Sequence, residues 1–352
     1  MELGYQAERL LLITRGLHKR VVGRDAMVFA SLGGQPVEVV ASKLKAGDLL
    51  GLRYGVYGWP TSPASLPQLP DRRPYGSEKA VTLSTAMTVE LAFLLGAYAS
   101  EGHTTRSNWS VIVTNSVLDI LQRVQEAWAS CFGLTARITH QTDRCPGVVV
   151  SSKRLVEFLE LLGCGSRASD KAIPDVVMAS TREHVLAYLQ GLALDGYTAN
   201  TGAGKWAICL ESSRLIDGMQ ELLTRLGIVN AQIKKFSRRT GKTYFELYAA
   251  GPWGQELCRL VPFLEPDKAA RAAKRSHVYR RLNGGCHPRD VGARAVPADP
   301  ARSERSQRSW QGTSAVLATL GPPDEAHLPS KRPKGPSASR CQTASLAGER
   351  TR

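Results

Sequence analysis

Two apolar helical stretches in this chain end the same way, in a carboxylate followed by glycine. They are Leu91-Ala-Phe-Leu-Leu-Gly-Ala-Tyr-Ala-Ser-Glu-Gly102 and Leu186-Ala-Tyr-Leu-Gln-Gly-Leu-Ala-Leu-Asp-Gly196. A helix C-terminus is the negative end of the macrodipole, so an acid there costs a few tenths to about 1 kcal/mol. One such residue is unremarkable. Two, 94 positions apart on matching helices, point to a cation held between Glu101 and Asp195.

The surroundings of the two helices match as well. After each comes a β-like run, Trp109–Thr114 and then Trp206–Leu210, followed by a helix opened by serine, at Ser116 and at Ser213. Those helices stop at Gly133 and Gly227, and Leu215, Ile216, Met219, Leu222, Leu223 and Leu226 mark one apolar face at 3.6-residue spacing. Two further β-like runs and a short helix close each half: 135–141, 147–152 and 153–162 in the first, and 230–238, 243–249 and 253–264 in the second. The order is αββαββα, twice, within an α+β chain. Ser180-Thr-Arg-Glu183 reads as a capping box that opens the second acid-tipped helix.

The rest of the chain divides around this duplication. Residues 1–57 are β-rich, 58–83 form a proline-rich linker or long loop, and the repeats occupy 84–165 and 166–270. From 283 to 352 the composition of Pro, Ser, Arg, Gly and Ala predicts a disordered basic tail. Net charge is +15, but residues 271–352 hold 16 Lys/Arg against 6 Asp/Glu, so the folded part carries little of it. Seven widely spaced cysteines without a CxxC fit a reducing, cytoplasmic setting and argue against a zinc site. No apolar run approaches the roughly 18 residues of a membrane span.

Taken in order, Leu94–Gly102, Asp170-Lys-Ala-Ile-Pro174, Leu189–Tyr197 and Leu222–Ile228 resemble the double-motif LAGLIDADG homing endonucleases of the kind embedded in inteins, also termed DOD-type. The resemblance covers about residues 84–270. It implies two pseudo-symmetric repeats forming a DNA-binding saddle, with Gly96 and Gly191 at the helix interface. It further implies that Glu101 and Asp195 share Mg²⁺ or Mn²⁺, and that Lys171 assists the leaving group or the attacking water. A solvated surface lysine is the alternative for Lys171. Small residues (Ala92, Ala99, Ala187 and Ala193 besides the two glycines) allow close crossing, and Gly102 and Gly196 suit a left-handed position after each helix. Arg106, Arg137, Lys205, Lys234, Lys235, Arg238, Arg239 and Lys242 are the candidate contacts to a long asymmetric duplex target, bound by a monomer.

One departure stands out. Gly96 and Glu101 are five positions apart, Gly191 and Asp195 only four. A one-residue slip turns a helical side chain by about 100°. Either the crossing glycine shifts towards the place of Gln190, or the second half of the site is impaired. The continuation Asp-Gly-Tyr favours a retained Asp195.

Residues 10–52 resemble part of an intein splicing (Hint) domain: Val37–Leu50 contains Leu-Lys-x-Gly-Asp, and Thr14 and His18 stand near the places of the residues that activate the scissile peptide. With Met1-Glu2 at the start and Thr351-Arg352 at the end, self-splicing by this chain is not expected. The expected function is site-specific, metal-dependent cleavage of double-stranded DNA. The alternatives are a decayed, non-cleaving DNA-binding relic and an RNA maturase on the same scaffold.

Overall fold

A computed structural model describes residues 9–14, 17–32, 35–46, 48–51, 54–55, 58–71, 80–141, 144–198, 205–273 and 313–319. In chain order the elements are β1 (Arg9–Thr14), β2 (Lys19–Gly23), β3 (Met27–Leu32), β4 (Gln35–Val40), β5 (Leu49–Leu50), α1 (Val89–Glu101), β6 (Gly102–Thr105), β7 (Ser110–Thr114), α2 (Leu118–Phe132), β8 (Arg137–Gln141), β9 (Arg144–Ser151) and α3 (Lys153–Leu161). There follow α4 (Asp175–Met178), α5 (Arg182–Leu192), a 3₁₀ turn (Ala193–Asp195), β10 (Tyr197–Thr198), β11 (Lys205–Leu210), α6 (Ser213–Arg225), β12 (Ala231–Ser237), β13 (Lys242–Ala250), α7 (Pro252–Leu260) and β14 (Thr313–Thr319).

The order αββαββα therefore occurs twice, from α1 to α3 and from α5 to α7. Each half carries a four-stranded antiparallel sheet, β6-β7-β9-β8 and β10-β11-β13-β12. One apolar core runs through both halves, with α1 at its centre. Leu91 to Ala99 of α1 are all buried, because a helix apolar on every side can only be satisfied inside. α2 and α6 instead bury one face: Ile120, Leu121, Val124, Ala127, Trp128 and Phe132 in α2, and Leu215, Ile216, Met219, Leu222 and Leu223 in α6. Strand alternation then sets the two faces of each sheet. Val111, Val113, Val148 and Val150 point to the core in one sheet, and Trp206, Ile208, Leu247 and Ala249 in the other.

Several local expectations need correction. Thr181, not Ser180, caps α5, accepting from His184 N at 3.4 Å, while the Ser180 hydroxyl donates to Val176 O. Ser116 caps nothing; α2 starts after Val117, whose N–H is taken by the Asn115 side chain. Ser212 rather than Ser213 caps α6. It accepts from Leu215 N at 3.2 Å and donates to Lys171 O at 2.6 Å, tying the segment between the halves to that helix. Because Ser212 is buried and makes both bonds, Ser212→Ala should cost about 1–2 kcal/mol in chemical denaturation. A change below roughly 0.3 kcal/mol would show the cap to be dispensable.

The amino-terminal segment forms, with β14, a six-stranded sheet ordered β2-β1-β14-β5-β3-β4 around a small core of Leu12, Ala30, Leu44 and Leu50. Most of 283–352 lies outside the described residues. Thr313–Thr319 is nevertheless a strand paired with β1 and β5, so the disordered reading fails for this part. Thr-Ser-Ala-Val-Leu-Ala-Thr is β-prone and carries no charge, unlike its flanks. The 58–83 stretch is a packed loop where it is described: Leu66 joins the main core, and Trp59 lies under the Arg225 guanidinium at 4.3 Å. No helix among the described residues is long and apolar enough to cross a membrane.

Candidate active site

The centre of the molecule is the crossing of α1 and α5. A β-carbon placed on Gly96 would lie 2.0 Å from Tyr188 O and 2.9 Å from Leu192 N. One on Gly191 would lie 2.1 Å from Phe93 O and 2.6 Å from Ala97 N. Backbone touches backbone there, so glycine is required on both sides for want of space. Gly191 is thus the contact glycine; Gln190 turns elsewhere, accepting from the Arg123 guanidinium at 3.5 Å.

The missing residue between Gly191 and Asp195 is taken up by a change of winding. α5 stops at Leu192, and Ala193–Asp195 continue as a 3₁₀ turn closed by Gly196 N to Ala193 O at 2.9 Å. Five α-helical residues rise about 7.5 Å and turn about 500°, whereas four rise about 6 Å and turn about 400°. Winding three of the four at about 2.0 Å and 120° per residue brings them to about 7.5 Å and 460°. The rise then matches that from Gly96 to Glu101, and the angular shortfall drops from about 100° to about 40°. Asp195 remains beside Glu101, close enough for its charge to act on that carboxyl.

Both acids are hard to ionise. Burial, then the Asp195 charge, pushes Glu101 up to about 7, against an opposing pull from Lys268. Burial pushes Asp195 up to about 6, again opposed by Lys268. Glu101 is half-buried. Asp195 keeps solvent contact on its outer side while protein atoms crowd the other, so the pair opens to the exterior through Asp195. Lys268, in the helix that starts at 266, had no signal in the sequence. Its ammonium donates to Leu194 O at 3.2 Å and pairs with Glu265 at 2.9 Å. The protein thus supplies a cation of its own near the two acids, so their repulsion does not depend on metal alone for relief.

Gly102 and Gly196 are extended (φ −102° and −72°), not left-handed. Glycine serves Gly102 through lack of room, since a β-carbon would meet Tyr98 O at 2.7 Å. Lys171 is not a surface lysine. It is 1% exposed, its ammonium donates to Tyr98 O and to Gly102 O (2.7 Å), and it lies 3.5 Å from the Tyr98 ring centre. Burial lowers it to about 7, opposed by Cys164 and by the Asp170 charge. The carbonyls it holds flank Glu101, so Lys171 fixes the end of the helix that presents the acid.

Sheet register sorts the eight basic candidates. The faces turned away from the core carry Arg137 in the first sheet and Lys205, Lys235 and Lys242 in the second. Lys234 has the opposite parity and projects to the helix side of β12. Arg106 is held in a two-point pair by Glu160 of α3 at 2.7 and 2.8 Å. Lys205 and Lys235 both engage Glu246, and Lys242 engages Glu211 at 2.9 Å. Arg238 and Arg239 stand exposed at the β12–β13 turn. Glu246 and Glu211 were missed by sequence reasoning. The alternation Lys242-Tyr244-Glu246-Tyr248 put an acid among the basic residues of one strand face, and that was the available signal.

Thr14 lies in β1 opposite Ala315, whereas buried His18 donates to Asn230 O at 2.9 Å and touches the Tyr54 hydroxyl at 3.3 Å. Burial lowers the His18 pKa. With Lys19 on Asp217 and Arg20 on Glu221, it docks the amino-terminal sheet on α6.

Residues 88–163 match the LAGLIDADG-like domain. The replication factor C small subunit of Methanocaldococcus jannaschii is 28% identical over 163 residues, 45% of this chain and 8% of that protein. That of Thermococcus kodakarensis is 26% identical over 277 residues, 76% of this chain and 28% of that protein. The chain therefore spans less than a third of these relatives. Among solved structures, the homing endonuclease I-DmoI in complex with DNA and Mn is similar at 16% identity, covering 49% of this chain and 95% of that one, with a TM-score of 0.37. Full-length DUF199/WhiA from Thermatoga maritima is similar at 12% identity, with 61% and 63% covered and the same TM-score.

The LAGLIDADG-like match ends at 163, before α5. The half that supplies Gly191 and Asp195 is thus known from the fold and not from the family match. As a cation site, the acid pair offers oxygen donors, from which an ion would displace protons, and access through Asp195. Among the described residues no third His, Cys, Asp or Glu joins them, so a bound ion would keep water or take substrate oxygens in its remaining positions.

Proposed function

We propose that this chain is a site-specific DNA endonuclease of the LAGLIDADG homing type, dependent on Mg²⁺ or Mn²⁺, and acting on double-stranded DNA as a monomer. One observation carries the reading: two helices from successive αββαββα halves cross on Gly96 and Gly191 and deliver Glu101 and Asp195 to the same end. A fold that gives up side chains at its centre in order to juxtapose two costly acids has a use for the pair. The LAGLIDADG-like match over 88–163 supports the same reading for the first half. An origin inside an intein fits the β-rich amino-terminal sheet and the fact that only a minor part of each replication factor C relative matches.

Glu101 and Asp195 would hold the ion, which when bound would supply Lewis acidity for activating water and stabilising the leaving oxygen of a phosphodiester. Lys171 positions Glu101 through the carbonyls of Tyr98 and Gly102. Lys268 offsets charge on the acids before metal arrives. Arg137, Arg238 and Arg239 reach phosphates, and strand side chains such as Thr105, Thr114 and Thr139 face the groove. The two halves supply a pseudo-twofold, so one chain can cut both strands.

The test is cleavage of a duplex library spanning candidate insertion sites by purified protein with Mn²⁺. A discrete double-strand cut, abolished by chelator, is expected. Tight binding of a duplex that is never cut would instead favour the non-cleaving relic. The shortfall of about 40° at Asp195 is the specific reason to keep that second reading.

A further inference from the structure

The outward face of the second sheet holds an acid where a DNA-binding surface would be expected to hold none. Glu246 lies in the middle of β13, opposite Cys209 of β11 and Ile233 of β12, all on the side turned away from the core. It is 1% exposed, because other side chains close over it. Lys205 reaches one carboxylate oxygen at 2.5 Å; Lys235 and the Tyr197 hydroxyl, the latter at 2.5 Å, share the other. Lys205 also stacks over the Tyr248 ring at 4.7 Å. At the rim of the same face Glu211 repeats the arrangement with Lys242 at 2.9 Å.

A carboxylate with two ammonium partners and a phenol donor has the same partners that a DNA phosphate would take. The partners hold Glu246 in its charged form. We propose that Glu246, with Glu211, is a specificity-determining clamp: an internal substitute for phosphate that occupies the lysines of this sheet and keeps them from binding DNA of arbitrary sequence. This rests on the DNA-binding reading above. Non-specific affinity comes almost entirely from cations meeting phosphates and releasing counterions. Lysines already neutralised on the protein release none. They become available only when a duplex fits closely enough to compete with an oriented, buried carboxylate, which favours a shape-matched target over the background. The position of Tyr197, two residues beyond Asp195, ties the clamp to the strand that leaves the acid pair.

The experiment is a fluorescence anisotropy titration with a mixed-sequence DNA duplex long enough to span both sheets, repeated across a salt series without divalent metal. Wild type is compared with Glu246→Gln, Glu211→Gln and Glu221→Gln. Glu221 of α6 pairs with Arg20 of β2, so its variant adds the same charge away from the sheet face. Releasing Lys205 and Lys235 should steepen the log–log salt slope by between about one and two, and tighten binding on the order of tenfold at about 0.1 M salt. Glu211→Gln should steepen it by about one, and Glu221→Gln should leave it unchanged. If Glu246→Gln does not fold, the rim variant decides the matter alone. Equal slopes for wild type and both sheet variants, or an equal gain for Glu221→Gln, overturn the clamp and leave DNA binding standing. If none of the four proteins binds duplex at low salt, the DNA-binding reading fails and the clamp with it.

Discussion

Replacing Gly191 with alanine should destabilise this protein by about 3 kcal/mol or more, lowering the melting temperature by roughly 10 °C. The added methyl would sit 2.1 Å from Phe93 O and 2.6 Å from Ala97 N, both backbone atoms of the central helix. Neither can move aside by a side-chain rotation, so α1 and α5 must separate. They run through a core shared by both halves, so separation loosens the packing on either side. Gly58 provides the control, since a β-carbon there meets nothing within 4 Å and Gly58→Ala should stay within about 0.5 kcal/mol of wild type. A Gly191→Ala protein that melts within about 2 °C of wild type would refute the crossing.

The second large effect is a pair of opposite changes from one substitution. Glu101→Gln should reduce cleavage about a thousandfold or more, since it removes one of two acids proposed to hold the ion, whose contribution is several kcal/mol. The same change should make the metal-free protein more stable near neutral pH, by on the order of 2 kcal/mol after allowance for the solvent reaching the site. Glu101 has a proton affinity raised by folding, from 4.5 to about 7. A carboxyl of that kind favours the folded state fully below its unfolded value, and that advantage is lost as pH rises through the folded one. Asp195 acts in the same direction between 3.8 and about 6. Stability of the metal-free wild type should thus fall from about pH 4.5 to pH 7, less steeply in Glu101→Gln. On the proposed metal-binding reading, Mn²⁺ would take the ionised pair, so it should reverse the trend and raise the melting temperature of wild type far more than that of the variant. Thermal melts over this range with and without Mn²⁺ read both signs. A Glu101→Gln protein that is less stable than wild type at neutral pH would show that the acid is structural.

Much of the candidate site is legible in the sequence. The periodicity of α2 and α6, the glycine stops and the repeated order located the elements, because these depend on neighbours within a few residues. Glu101 and Asp195 could be named because an acid at a helix end is costly whatever surrounds it. Helix caps were misplaced by one residue at Ser116, Ser180 and Ser213, where several serines and threonines compete and only the turn geometry chooses. Lys171 was located but not understood, since a lysine before Ile-Pro has no burial until α1 lies over it.

By itself, the sequence determined the duplicated αββαββα order, the small residues of the helical seam and the two acids, all features of local spacing and composition. Tertiary structure alone decided which glycine makes the crossing, how a 3₁₀ turn makes good a missing residue, and that Lys268 stands by the acids. It also decided that four of eight basic candidates (Arg106, Lys205, Lys235 and Lys242) are held by carboxylates of the protein. Those outcomes turn on contacts between residues tens to hundreds of positions apart. Charge and hydrogen bonding depend on distance in space, to which spacing along the chain is blind.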